Sequence, residues 1–263
     1  MSHPRLTPDP EFSGLNEPAQ IGRSIVNLLR KPNGARDRQL VLGADVTILW
    51  RENGWAYVQA VADGYCGFVG VASLSAPQKT THKVSAPASH GYQNAKMKSI
   101  DRCALSHGSR LAALDEKDGF IQTSHGFVPM QHITALDDFA DDPADIASLF
   151  AGTPYLWGGN SRLGIDCSGL VQAACQACNI PCGGDSDMQE AELGTLLEDG
   201  STPQRNDLLF WKGHVAIVWD EETLIHANAH AMAVVYEPIE EAIARIAQTD
   251  GPVTAHRRLT LTP

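Results

Sequence analysis

Between residues 45 and 71 the chain alternates short runs of β-branched and aromatic residues with turn residues. DVTILWR (45–51), WAYVQAV (55–61) and YCGFVGV (65–71) are separated by Glu52-Asn53-Gly54 and Ala62-Asp63-Gly64. Runs of this length joined by tight Gly-containing turns predict short strands in hairpins, and strands this closely spaced predict a small barrel over about residues 20–76. The pattern returns more weakly over about 81–136. Leu114-Asp115-Glu116-Lys117-Asp118-Gly119-Phe120 echoes Trp50-Arg51-Glu52-Asn53-Gly54-Trp55, and His125-Gly126-Phe127-Val128 echoes Asp63-Gly64-Tyr65 with Phe68-Val69. A duplicated β domain explains both, with the polar, Pro-containing stretch SLSAPQKTTHKVSAP as the linker.

After Asp137 the periodicity changes. DDFADDPADIASLFAGT predicts a helix with Asp142 as N-cap, Pro143 in its first turn and Gly152 near its end. A Gly-rich turn leads into a second helix from about Cys167 to Asn179. LLFW, HVAIVW and TLIHA then predict strands, and IEEAIARIAQ a late helix. Helices followed by a sheet make an α+β domain of about 138–260. The expected organisation is an extension (1–19), two small β-barrels (20–78 and 79–137) and the α+β domain (138–263).

Composition narrows the function. The chain has 263 residues, 43% hydrophobic and 19% charged, which suits a globular protein with a core of its own. Twenty basic against 31 acidic residues give a net charge of −11, which argues against nucleic acid or an anionic membrane as partner. The N-terminus MSHPRLTPDPEFSG lacks an apolar run, and no stretch reaches the ~18 apolar residues of a membrane span, so a cytoplasmic protein is expected. There the six cysteines (66, 103, 167, 175, 178 and 182) are expected to remain thiols.

Candidate chemistry lies in the last domain. Asp166-Cys167-Ser168-Gly169 stands where the turn 158–164 feeds a helix. A thiol in the first helical turn faces unpaired N–H groups and the positive dipole end, which favour thiolate, the nucleophilic form. A buried structural cysteine fits the same pattern. Cysteine catalysis also needs a base and a group that orients it. His214 opens one predicted strand and His226 lies on the next; they fit those two roles, and equally a pair of satisfied core histidines.

Taken together, PYLWGGNSRLGIDCSGLVQ, DLLFWKGHVAIVW and LIHANAH resemble, in order, the blocks of NlpC-type papain-like cell-wall peptidases. The preceding pair resembles bacterial SH3-like domains. That architecture is similar to the γ-D-glutamyl-L-diamino acid endopeptidases of dipeptidyl-peptidase VI type. The resemblance implies a papain-like NlpC fold, a thioester mechanism on murein peptides, and no metal or organic cofactor. It makes Cys167 the nucleophile, His214 the base and His226 its orienter. Tyr155 and the Cys167 N–H face the oxyanion, and Asp166 shapes the cleft. Asp185 and Ser186 match the block that holds the free amine of the N-terminal L-Ala; they also fit a helix N-cap before MQEAEL. In such relatives an acidic residue and a tyrosine of the first SH3-like domain close the cleft. Tyr65 matches the aromatic. Gly43-Ala44-Asp45 replaces the expected Gly-Glu, leaving Asp45 or Glu52 as substitutes. Pro181-Cys182-Gly183-Gly184 stands where an Arg-containing stretch is commoner, and Asn206-Asp207 where Gly-Asp is expected. The resemblance implies trimming or recycling of murein peptides, and the expected lack of an export signal favours recycling.

Three other readings compete. Cys175, Cys178 and Cys182 have a C-x2-C-x3-C spacing that suits a metal cluster, but Cys167 lies about 16 Å from Cys178 along one helix, too far to be the fourth ligand. His214, His226 and His230 would make a zinc hydrolase site, yet His226 and His230 on one strand stand about 13 Å apart. A murein-binding module with an inactive peptidase domain needs none of the proposed catalytic residues.

Overall fold

The computed structural model describes residues 3–261. The chain divides into two compact units at Asp138/Phe139. In the first, seven antiparallel strands run in the spatial order Arg36–Val41, Ile25–Leu29, Cys66–Gly70, Trp55–Ala60, Asp45–Glu52, Glu17–Ile21 and Leu74–Ser75. The strand Glu17–Ile21 pairs with Asp45–Glu52, so the expected N-terminal extension is in part a strand of the barrel. On the other side of Asp45–Glu52, a register shift between Ile48 and Trp50 interrupts its ladder with Trp55–Ala60. The carbonyl of Leu49 accepts the N–H groups of Gly14 and Leu15 instead, which anchors the N-terminal segment. Phe12 then packs edge-on against Trp50 and Phe68, with ring centroids 5.3 and 4.9 Å apart.

The second half of this unit carries two further sheets between His82 and Ala135, around Val84, Leu105, Leu111, Ile121 and Val128. Leu42 from the first barrel completes that core, and its carbonyl accepts the N–H of Arg110. Gly43 has φ 76°, and a Cβ there would stand 2.3 Å from the Arg110 carbonyl oxygen, so only glycine lets the two backbones approach.

The second unit is a six-stranded antiparallel sheet in the order Thr195–Leu196, Ala255–Arg258, Asp207–Trp211, His214–Val218, Thr223–Asn228, Ala233–Pro238. Helices α1 (Pro143–Ser148) and α2 (Cys167–Ala177) cover one face and α4 (Ile239–Ile246) the other; α3 (Ser186–Glu192) follows α2. The strand Asp207–Trp211 is buried at all five positions because both of its faces are covered. Leu208 and Phe210 enter the core with α1 and α2, whereas Leu209 and Trp211 enter the core with α4. Asp142 caps α1 by accepting from the N–H groups of Ala144 and Asp145. Asn179 (φ 57°) turns the chain out of α2, and Asn206 (φ 71°) adopts the left-handed turn that the Asn-for-Gly exchange requires. No helix among the described residues is long and apolar enough to cross a membrane.

Candidate active site

Asp166 sets the start of α2. Its Oδ1 accepts the Gly169 N–H at 2.7 Å and the Ser168 hydroxyl at 3.0 Å, while Oδ2 accepts the Gly158 N–H at 2.7 Å. The carboxylate therefore works as helix cap and as tie to the preceding turn. Gly169 is required by proximity: a Cβ would lie 2.5 Å from the Gly159 carbonyl oxygen. Cys167 is the first residue of α2, where the helix's N–H groups have no intrahelical partner.

The sheet side of the site is a splayed strand pair. His214–Val218 and Thr223–Asn228 pair only at Ile217/Ile225 and Val218/Leu224. Towards His214 the ladder has ended, and the Cys167 thiol meets the strand there. It donates to the Gly213 carbonyl at 4.0 Å and receives the Val215 backbone N–H, so it touches the chain on both sides of His214. His214 shares strand parity with Ala216 and Val218, and His226 with Leu224; these apolar neighbours all pack with α4. The two rings meet on that side. His214 Nε2 lies 2.9 Å from His226 Nδ1, and the ring centroids are 5.1 Å apart. The buried indole of Trp211 lies against His214, at 5.7 Å between centroids.

Burial governs the protonation of this group. The Cys167 thiol, 7% exposed, is pushed up to about 12 by desolvation and then by the Asp166 charge; the N–H groups of Val215, Ser168 and Cys167 itself pull the other way. Desolvation, with the nearby charges of His226 and Arg245, lowers His214 to about 3. His226 is lowered to about 4, again by desolvation, against the raising effect of Glu237. The resting pair is thiol and neutral imidazole. A helix N-terminus alone predicts thiolate; here the cost of burying that charge outweighs the dipole, so the thiol rests protonated.

Tyr155 donates its N–H to the Met232 carbonyl at 2.9 Å, and its phenol is held protonated by burial and by proximity to Cys167 and Asp166. Asp185 is the N-cap residue of α3, and its carbonyl accepts the Gln189 N–H at 2.9 Å; Ser186 begins the helix and is buried. Within the first unit Tyr65 is 2% exposed, its ring beneath the Arg38 guanidinium at 5.1 Å. Asp45 accepts from Gln20 at 2.8 Å and from Arg110 at 3.1 Å, and Glu52 is exposed at its strand end. Cys175 and Cys182 are buried in the α2 core, Cys178 caps that helix, and all six cysteines are free thiols. Among the described residues no group of three or more His, Cys, Asp or Glu side chains is arranged to hold a metal.

Two residues of the site went unread in the sequence. Glu237, on the last strand before α4, places Oε2 2.9 Å from His226 Nε2. Arg245, in the last turn of α4, grips that carboxylate with Nε at 2.9 Å and Nη2 at 2.7 Å. In YEPIEEAIARIA they read as ordinary surface charges; only the pairing of the strands brings Glu237 diagonally beside His226.

Comparison with known proteins places this geometry. Residues 152–249 match the NlpC/P60 family, and residues 28–74 match the bacterial dipeptidyl-peptidase Sh3 domain. Dipeptidyl-peptidase 6 of Lysinibacillus sphaericus is 26% identical over 230 residues, covering 77% of this chain and 84% of its own length. Gamma-D-glutamyl-L-lysine dipeptidyl-peptidase of Bacillus cereus is 25% identical over 246 residues, 77% of this chain and 70% of its own. The crystal structure of an NlpC/P60 family protein from Bacillus cereus superposes with a TM-score of 0.76 at 21% identity, over 92% of this chain and 99% of that one. The fold is thus the expected mixed α+β peptidase domain, and of the two expected SH3-like barrels the comparison matches the first, over residues 28–74. The chain is a hydrolase, a cysteine peptidase that takes a peptide substrate.

Proposed function

We propose that this chain, which carries an NlpC/P60 domain behind a bacterial dipeptidyl-peptidase SH3 domain, hydrolyses the γ-D-glutamyl bond to a diamino acid, diaminopimelate or lysine, in murein peptides with a free N-terminal L-Ala. The observation that carries this reading is the hydrogen-bonded pair His214–His226 at the strand end that the Cys167 thiol abuts. Cys167 attacks the γ-glutamyl carbonyl while His214 takes the thiol proton. That proton passes to the departing amine as the C–N bond breaks, leaving a thioester. Water, deprotonated by His214, then attacks the thioester and releases the dipeptide acid and the thiol. The Tyr155 phenol and the Cys167 N–H donate to the oxyanion. Asp185 and Ser186 hold the substrate ammonium, for which a carboxylate is a charge-assisted partner.

Incubation with L-Ala-γ-D-Glu-diaminopimelate should yield L-Ala-γ-D-Glu by mass spectrometry. No cleavage by reduced, folded protein would overturn the assignment. Acetylating the peptide's amine should cut the rate sharply; equal rates would remove the role given to Asp185 and Ser186. The substrate chemistry suits recycling of recovered wall peptides in the cytoplasm, a compartment where six free thiols are stable. Recovery of the protein in the periplasmic or wall fraction of cells would sink that location.

A further inference from the structure

His226 stands at a branch. Its Nδ1 meets His214 Nε2 at 2.9 Å, while its Nε2 has two neighbours, Glu237 Oε2 at 2.9 Å and Asn228 Nδ2 at 2.8 Å. A nitrogen of a neutral imidazole carries either a hydrogen or a lone pair, so these two neighbours compete. Asn228 offers Nε2 only hydrogens, because its Oδ1 is turned away to accept the Ala231 N–H at 2.7 Å. Glu237 offers only lone pairs, because the two-pronged Arg245 contact keeps it ionised, below the usual carboxylate range.

The outcome is passed along the pair of rings. When Nε2 of His226 holds the hydrogen and donates to Glu237, Nδ1 is bare and accepts the Nε2–H of His214. That leaves His214 Nδ1 with a lone pair, able to take a proton. When Asn228 donates to Nε2, His226 carries its hydrogen on Nδ1 and donates to His214 Nε2. Neutral His214 then holds its own hydrogen on Nδ1 and has no lone pair left to act as a base.

We propose that Glu237, clamped by Arg245, is a positioning residue that selects the base-competent tautomer of both imidazoles against the competing amide of Asn228. This deepens the reading of Cys167 and His214 as nucleophile and base and rests on it. His226 is wholly buried, so water does not take over the role of either neighbour at Nε2. The fixed negative charge also favours the positive charge that forms on His214 during thiol deprotonation.

The test compares wild type, Glu237→Gln, Glu237→Leu and the double variant Glu237→Leu/Asn228→Leu. Long-range proton–nitrogen NMR of the assigned imidazoles should find Nε2–H on both rings in wild type and Nδ1–H on both in Glu237→Leu. On the tripeptide, kcat of Glu237→Leu should fall by about 10³-fold, short of the ~10⁴-fold of a triad wholly in the wrong tautomer, with KM within about twofold. Removing the rival donor in the double variant should restore at least about tenfold of that loss, which a merely structural role for Glu237 would not do. Glu237→Gln keeps the shape without the charge. It should give mixed tautomers and a smaller fall in kcat, and it carries the test if the leucine variant does not fold. Unchanged Nε2–H signals in the folded Glu237 variants, or a double variant no faster than Glu237→Leu, would overturn the proposal. The NMR readout needs no substrate: a tautomer shift in a protein that fails to cut the tripeptide would spare the tautomer selection and sink the substrate assignment alone.

Discussion

The catalytic sheet contains the same trio of side chains twice. In one, Asp207 accepts from Arg258 Nε and Nη2 at 2.8 Å each, from His256 Nε2 at 2.8 Å, and from the Gln204 N–H at 2.9 Å. In the other, Glu237 accepts from both prongs of Arg245 and from His226 Nε2. Carboxylate, arginine and imidazole are alike in chemistry and distance. The difference lies at the far nitrogen of the imidazole. Among the described residues His256 has no second ring hydrogen bond, whereas His226 Nδ1 meets His214 Nε2 at 2.9 Å. The Asp207 trio pins the strand Ala255–Arg258 to Asp207–Trp211, where Asp207 and Arg258 are register partners. The Glu237 trio, by our proposal, orients a base. What a buried ion-paired histidine does is thus decided by its outward neighbour, not by its own partners.

Loss of turnover should separate the two trios most widely. Cys167→Ala and His214→Ala should each abolish cleavage of the tripeptide, by about 10⁴-fold or more, with thermal midpoints nearly unchanged. His256→Ala, assayed below its melting point, should retain wild-type turnover. If it too abolished cleavage, the contrast between the trios would be false. Next in size, His226→Ala should cost about 10²–10³-fold in kcat, less than its neighbours because an orienting group contributes less than the reacting ones.

Stability should show the reverse order. Asp207→Ala strands His256 and Arg258 together at a site where the carboxylate is fully buried, so its urea midpoint should drop below that of Glu237→Ala, whose carboxylate is 17% exposed. A larger drop for Glu237→Ala would assign it the structural role instead.

Acid should act through the relay. His214 and His226 are lowered in the fold to about 3 and about 4. Between those values and the unfolded value of about 6.5, the unfolded chain binds protons that the folded one refuses. Stability therefore falls as pH drops from about 6.5 towards 4, and the depressed carboxylate of Glu237 adds a further loss below that. Urea midpoints against pH should show this slope, and His226→Asn should flatten it. The smallest effect concerns the thiol. Alkylation of Cys167 by iodoacetamide should keep rising through pH 9, as a raised thiol requires; a plateau from pH 5 upward would mean a preformed thiolate.

Much of this architecture was legible along the chain. Alternation with Gly turns gave the hairpins at Glu52-Asn53-Gly54 and Ala62-Asp63-Gly64, which form as the strands Asp45–Glu52, Trp55–Ala60 and Cys66–Gly70. Asp142-Pro143 gave the start of α1. The helix start at Cys167 was legible because Asp166 caps it, whereas the roles expected of Cys167, His214 and His226 came only from the resemblance of their blocks. The strand Glu17–Ile21 was not, since EPAQI carries little alternation and is held by pairing with Asp45–Glu52. Glu237 and Arg245 were hidden for the same reason: charges before and within an amphipathic helix look alike whether they face water or a buried ring.

The amino-acid order by itself determined most of the segments that become strands and helices, where the helix behind Cys167 begins, and which residue types stand at the splayed strand end. Those are consequences of backbone conformation and contacts a few residues apart. Only the tertiary structure decided that the thiol rests protonated, that His226 leans on Glu237 while His256 serves Asp207, and that Asn228 contests the same nitrogen. Desolvation and strand register set those properties, and both depend on neighbours that the folded sheet brings in from distant parts of the chain.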